Sequence, residues 1–140
     1  MKNTLFIFCE DISVDNKTNQ WTFFKHVEKI NLILPPEKRK EGQNLSIKGK
    51  FNIASFWEGA EGEEIELKYL LVDPRGDVLV DTPGYSLQTK DGVLNPKHRL
   101  ILNHIPIKES GRYFLKLYKK QKEGYEEEAE IGVDIVVKEE

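Results

Sequence analysis

The stretch Ile107–Val137, IKESGRYFLKLYKKQKEGYEEEAEIGVDIVV, decides the fold. Its first half reads as a turn, Glu109-Ser110-Gly111, running into a strand. Successive side chains of a strand alternate between faces, so Tyr113, Leu115 and Leu117 share one side of the pleat. In its second half Ala129, Ile131, Val133, Ile135 and Val137 alternate with Glu130, Gly132, Asp134 and Lys138, broken only by Val136. That is the strongest strand signal in the chain. A turn at Glu123-Gly124 joins the two halves into a hairpin.

Working outward, the same period of two recurs. Leu45, Ile47, Phe51 and Ile53 alternate with Ser46, Lys48, Lys50 and Asn52, with Gly49 marking a bulge or a close approach. Ile65, Leu67, Tyr69 and Leu71 alternate with Glu64, Glu66 and Lys68. Asp73-Pro74-Arg75-Gly76 is a type I turn whose glycine supplies the left-handed residue, and Val78-Leu79-Val80 is the returning arm. The segment from Pro83 to Pro96 is mostly loop, with one short edge strand around Tyr85-Ser86-Leu87, and Arg99 to Ile105 is a further strand. Leu5 to Cys9 is continuously apolar, as in a central strand covered on both faces. Trp21 to Phe24 has strand chemistry. Between residues 25 and 34 the spacing of Val27, Ile30 and Ile33 or Leu34 leaves a short helical turn and a strand both open. Pro35-Pro36 ends that segment, and residues 37–43 read as a charged loop.

Seven or eight short strands with turn signals between them predict an all-β chain, an antiparallel β-sandwich of Greek-key type spanning residues 1–140 as one domain, with a C2-like or small-barrel topology as the rival. The expected core holds Tyr113, Leu115, Leu117, Ile131, Val133, Ile135, Leu45, Ile47, Phe51, Ile65 and Leu67. The turn before Tyr113 resembles the tyrosine corner of immunoglobulin-like sandwiches, which implies a buried ring whose hydroxyl bonds back to the turn. The apolar first strand, Cys9-Glu10-Asp11, Asp73-Pro74-Arg75-Gly76 and Gly111-Arg112-Tyr113 are together similar in spacing to a family of small uncharacterised bacterial β-sandwich proteins, a domain of unknown function. That resemblance implies the fold and no activity.

Composition narrows the function classes. A 140-residue chain buries roughly 68–70% of its unfolded surface, enough for one core without staples. A net charge of −3 with Lys and Arg spread along the chain gives no footprint for nucleic acid or an anionic membrane. Lys2 precedes an apolar run, but the run ends at Glu10-Asp11, too soon for a signal peptide, so the start reads as a mature terminus. Cys9 is the sole cysteine, expected to be a buried thiol in a reducing, cytoplasmic compartment.

No catalytic, metal or cofactor signature emerges. His98 and His104 share strand parity, but six residues along a strand is about 20 Å, too far for one metal. His26 stands alone. Glu10 and Asp11 are adjacent and so point to opposite faces, which suits a strand end better than acid–base work; the enzymatic alternative is a hydrolytic or small-ligand site built from Glu10, Asp11 and His104. Glu58, Glu61, Glu63 and Glu64 read as a solvated loop tip rather than a calcium site. What remains is surface. Phe114 and Tyr118 fall on the opposite parity from Tyr113, beside Lys116 and Lys120, a composition common in interaction surfaces. Val78 and Val80, guarded by Asp77 and Asp81, belong to a strand edge open to an added strand. The expected role is therefore a non-enzymatic module for an unidentified protein partner or for self-association.

Overall fold

The alternating stretches become ten strands in the computed structural model, which describes residues 1–34 and 45–139. They are β1 (Lys2–Val14), β2 (Trp21–His26), β3 (Lys29–Leu34), β4 (Leu45–Glu58), β5 (Glu64–Val72), β6 (Val78–Asp81), β7 (Tyr85–Gln88), β8 (Lys97–Ile107), β9 (Gly111–Gln121) and β10 (Gly124–Glu139). The described residues contain no helix, so the chain is all-β, with ten strands in place of the seven or eight expected. The charged loop read at residues 37–43 lies outside the described residues.

The strands form two sheets. The first has the order β2-β1-β4-β8; the second has the order β3-β10-β9-β5-β6, with β7 also pairing β5. Every described pairing is antiparallel except β3 with β10, which is parallel, so the strands are mostly antiparallel as expected. The segment 25–34 is strand throughout its second half: Ile30 and Leu32 pack on the core and Leu34 is buried, a period of two. The helix-like spacing arose because Val27, also buried, belongs to the crossing between sheets, where its amide donates to the Phe8 carbonyl and the Asp134 amide donates to the Glu28 carbonyl. Lys25 takes a positive φ of 55° there, which re-aims the chain from one sheet to the other.

The core lies between the sheets. Phe8, Ile47, Phe51, Ile53 and Trp57 come from one sheet, and Leu67, Tyr69, Leu71, Tyr113, Leu115, Leu117, Val133 and Ile135 from the other. Ile131, Leu45 and Ile65 are partly buried against it. The corner forms as read: Tyr113 is buried, its hydroxyl donates to the Glu109 carbonyl at 2.6 Å, and it accepts from the Lys108 and Glu109 amides at 3.2 Å. Gly111, with φ of 153°, is required there twice over, since a Cβ would also stand 2.6 Å from Pro74. The Asp73–Gly76 turn is thus held against the corner, helped by Arg75 on Glu109 at 2.9 Å. Among the described residues no helix is long and apolar enough to cross a membrane.

Candidate interaction surfaces

The expected patch on β9 lies on the outer face of the second sheet. Phe114, Lys116 and Tyr118 do point away from the core, but each is half-buried, and β9 is an interior strand between β10 and β5. Arg112 lies over the Phe114 ring at 5.9 Å, resting on Gly132, where a Cβ would meet its guanidinium at 2.5 Å. Lys116 sits between Glu127 at 3.1 Å and Glu130 at 3.7 Å, and the Glu127 carboxylate pushes the ammonium pKa up. Further along, Lys68 pairs Asp81 at 3.2 Å and lies 4.4 Å over the Tyr125 ring, while the Tyr125 hydroxyl donates to Glu66, which pushes the phenol pKa up. This outer face is a lattice of alternating charges.

The β6 edge is where the sequence put it. Val78 is 52% exposed, Val80 is partly buried, and β6 pairs only with β5. It is four residues long and approaches β8, the last strand of the other sheet, without joining it. Its guards are engaged, Asp81 with Lys68 and Asp77 with Lys108 at 3.7 Å.

The surface that the sequence reading missed is the outer face of the first sheet. In β1 and β4 both parities are apolar. Phe6 and Phe8 face the core with Ile53 and Trp57, and Leu5, Ile7 and Cys9 face outward with Ala54 and Phe56. Cys9, Ile12 and Ala54 are buried there beneath Ile7, Trp21, Phe23 and Phe56, a cluster separate from the inter-sheet core. Trp21 meets Phe56 edge-on at 5.4 Å and Phe23 lies 5.7 Å from it. Leu5, Val14 and Ile101 extend the cluster as exposed side chains, Ile101 at 40%. Cations border it: Lys97 lies 5.2 Å over Phe56 and donates to the Asn19 carbonyl at 2.7 Å, and Arg99 donates to Asn52 at 2.9 Å. Neither has a carboxylate within ion-pair distance among the described residues. Burial pushes the Cys9 thiol pKa up, which disfavours the reactive thiolate.

The candidate chemical groups do not converge. His98 and His104 end on opposite faces, correcting the shared parity: the register between β4 and β8 shifts between Lys48 and Phe51, so His104 is exposed opposite Lys48 whereas His98 faces inward opposite Ser55. Gly49 marks that bulge. Where β1 and β4 part company beyond Cys9 and Asn52, an open cleft of about 590 Å³ lies between Glu10-Asp11 and Lys48-Gly49-Lys50. Glu10 there faces Lys25 at 3.6 Å, Asp11 accepts from the Ile12 amide, and His104 does not line it. In the acidic loop Glu63 is held by the Met1 ammonium at 2.5 Å and the Ala60 amide, which together keep its pKa low. No group of three His, Cys, Asp or Glu is placed to hold a metal among the described residues.

In comparisons with known proteins, no family model matches this chain and no curated sequence matches it.

Proposed function

We propose that this chain is a non-enzymatic binding module, an immunoglobulin-like Greek-key sandwich, that docks a partner protein through the outer face of its four-stranded sheet. One observation carries the reading: that face is composed like an inner one. Strands with apolar residues on both parities belong to sheets covered on both sides, and an exposed apolar patch rimmed by polar groups marks contact sites. The partner is a folded surface with an apolar centre and bordering carboxylates, complementary to Lys97 and Arg99. The buried, unpaired Cys9 suits a reducing compartment, and we place the module in the cytoplasm.

The test uses a photo-cross-linking residue at position 101 or at position 130, on the outer faces of the first and second sheets. Position 101 should capture a discrete protein whose yield falls when Lys97 and Arg99 are both changed to Glu, and position 130 should capture none. Equal adducts from both faces, or none from position 101, sink the proposal, and an adduct of twice the chain mass replaces the partner with a second copy. A second reading, strand addition at β6, is favoured by the exposure of Val78 at the end of its sheet. Val80→Pro blocks that edge and leaves capture at position 101 intact if the first reading holds.

A further inference from the structure

Three buried side chains of the core, Trp57, Ser55 and Tyr69, join the half-buried His98 in a hydrogen-bonded chain that crosses from one sheet to the other. Trp57 and Ser55 stand on β4 and His98 on the neighbouring β8, all in the first sheet; Tyr69 stands on β5 in the second. The Trp57 indole N–H donates to Ser55 Oγ at 3.0 Å, Ser55 Oγ lies 2.8 Å from Tyr69 Oη, and Tyr69 Oη lies 2.8 Å from His98 Nδ1. Ser55 is fully buried, Trp57 and Tyr69 nearly so.

We propose that Trp57, Ser55, Tyr69 and His98 form a latch between the sheets that holds only while His98 is neutral, so that protonating this imidazole loosens the module at that end. Direction decides it. An indole nitrogen only donates, so Ser55 must send its own proton onward to Tyr69. Tyr69 then gives its proton to His98 Nδ1, which has to be an unprotonated acceptor, with the ring hydrogen on Nε2. Run the other way, Nδ1–H donates to Tyr69 and Tyr69 to Ser55. Ser55 then receives two hydrogen bonds, and no further acceptor for its proton stands among the described contacts. A buried hydroxyl without an acceptor is costly. Imidazolium imposes that second arrangement.

The surroundings do not rescue the cation. Facing His98 are Ser55 from β4, Tyr69 from β5 and Tyr85 from β7, the last with ring centroids 4.5 Å apart, and none of them is a carboxylate. From β6, Asp81 is occupied by Lys68, and on β8 itself Lys97 and Arg99 project to the outer face. Burial lowers the imidazole pKa and raises that of the Tyr69 phenol, so both groups are held neutral. An unfolded chain takes up a proton at His98 below its ordinary pKa of about 6.5 while the folded chain resists it. Stability is therefore lost as pH falls below about 6.5, until the lowered folded pKa is passed.

Nitrogen-15 spectra of the imidazoles should show His98 as the Nε2–H tautomer, titrating below the ordinary value. Unfolding midpoints measured between pH 7.5 and 5 should fall in the wild type and in His104→Asn, but not in His98→Asn, which offers an amide oxygen near the Nδ1 position and cannot titrate. Tyr69→Phe should move the His98 titration up toward its ordinary value. An Nδ1–H tautomer, an ordinary titration, or an acid slope retained in His98→Asn overturns the latch. Should His98→Asn fail to fold, the wild-type tautomer and titration decide the matter alone.

Discussion

Phe56 and Phe114 are the same residue, half-buried on the outer faces of the two sheets, and they live in opposite company. Phe56 sits among Trp21, Phe23 and Ile7, with a lysine above. Phe114 lies under Arg112 on a face where Lys68, Lys116 and Lys120 each meet carboxylates. The second arrangement is how a sheet meets water: paired charges, long stems lying over aromatic rings, little contiguous apolar surface. The first spends its aromatic residues outside the inter-sheet core. Parity alone therefore does not tell an apolar outer face from a charged one; the neighbours of the aromatic residue do.

Four tests can break the contrast. Tyr113→Ala, which empties the buried corner beneath the charged face, should cost about 3–5 kcal/mol in denaturant unfolding, and a near-neutral change would remove the common inner core from which both outer faces are judged. Phe56→Ala should cost about 2–3 kcal/mol and Phe114→Ala only about 1 kcal/mol; equal losses would mean that the two faces are equally well packed. Lys116→Gln should lower the unfolding free energy by less than about 1 kcal/mol at low salt and by nothing measurable in molar sodium chloride, because it removes screened surface pairs. The penalty of Phe56→Ala should survive that salt. The smallest effect belongs to Ile101→Thr, expected within about 0.5 kcal/mol of the wild type in stability yet retained less by a hydrophobic-interaction column. If Glu130→Gln alters retention as much, the apolar character is not confined to the first sheet.

Much of the fold was legible because burial on one face imposes a period of two. Tyr113, Leu115, Leu117, Val133 and Ile135 are buried as read, and the Gly49 bulge and the Tyr85–Gln88 edge strand fall where glycine and proline punctuate the chain. The parallel strand was not legible, since Val27 inserted an out-of-period apolar residue at the crossing and long-range pairing leaves no local mark. The environment of the surface residues was harder to read. Parity alone selected Phe114 and Tyr118, but the partners of Lys116 lie on another strand and appear only once β10 is in register. The signal for the other face was present in Leu5–Cys9, whose unbroken apolar run called for cover on both sides. What the sequence withheld was that Trp21, Phe23 and Phe56 supply part of that cover.

The parallel pairing of β3 with β10 also bears on the order of assembly. Every other strand finds a partner through a hairpin or a connection within the body of the chain, whereas Lys29 waits for Asp134, which lies near the other end. Closing so long a loop is costly in entropy before any contact rewards it. β3 is therefore expected to dock onto a β9–β10 hairpin that is already formed, and to open before the interior strand β9 when the molecule breathes. Amide exchange should reveal this directly, the hydrogen-bonded amides of β3 losing protection well before those of β9.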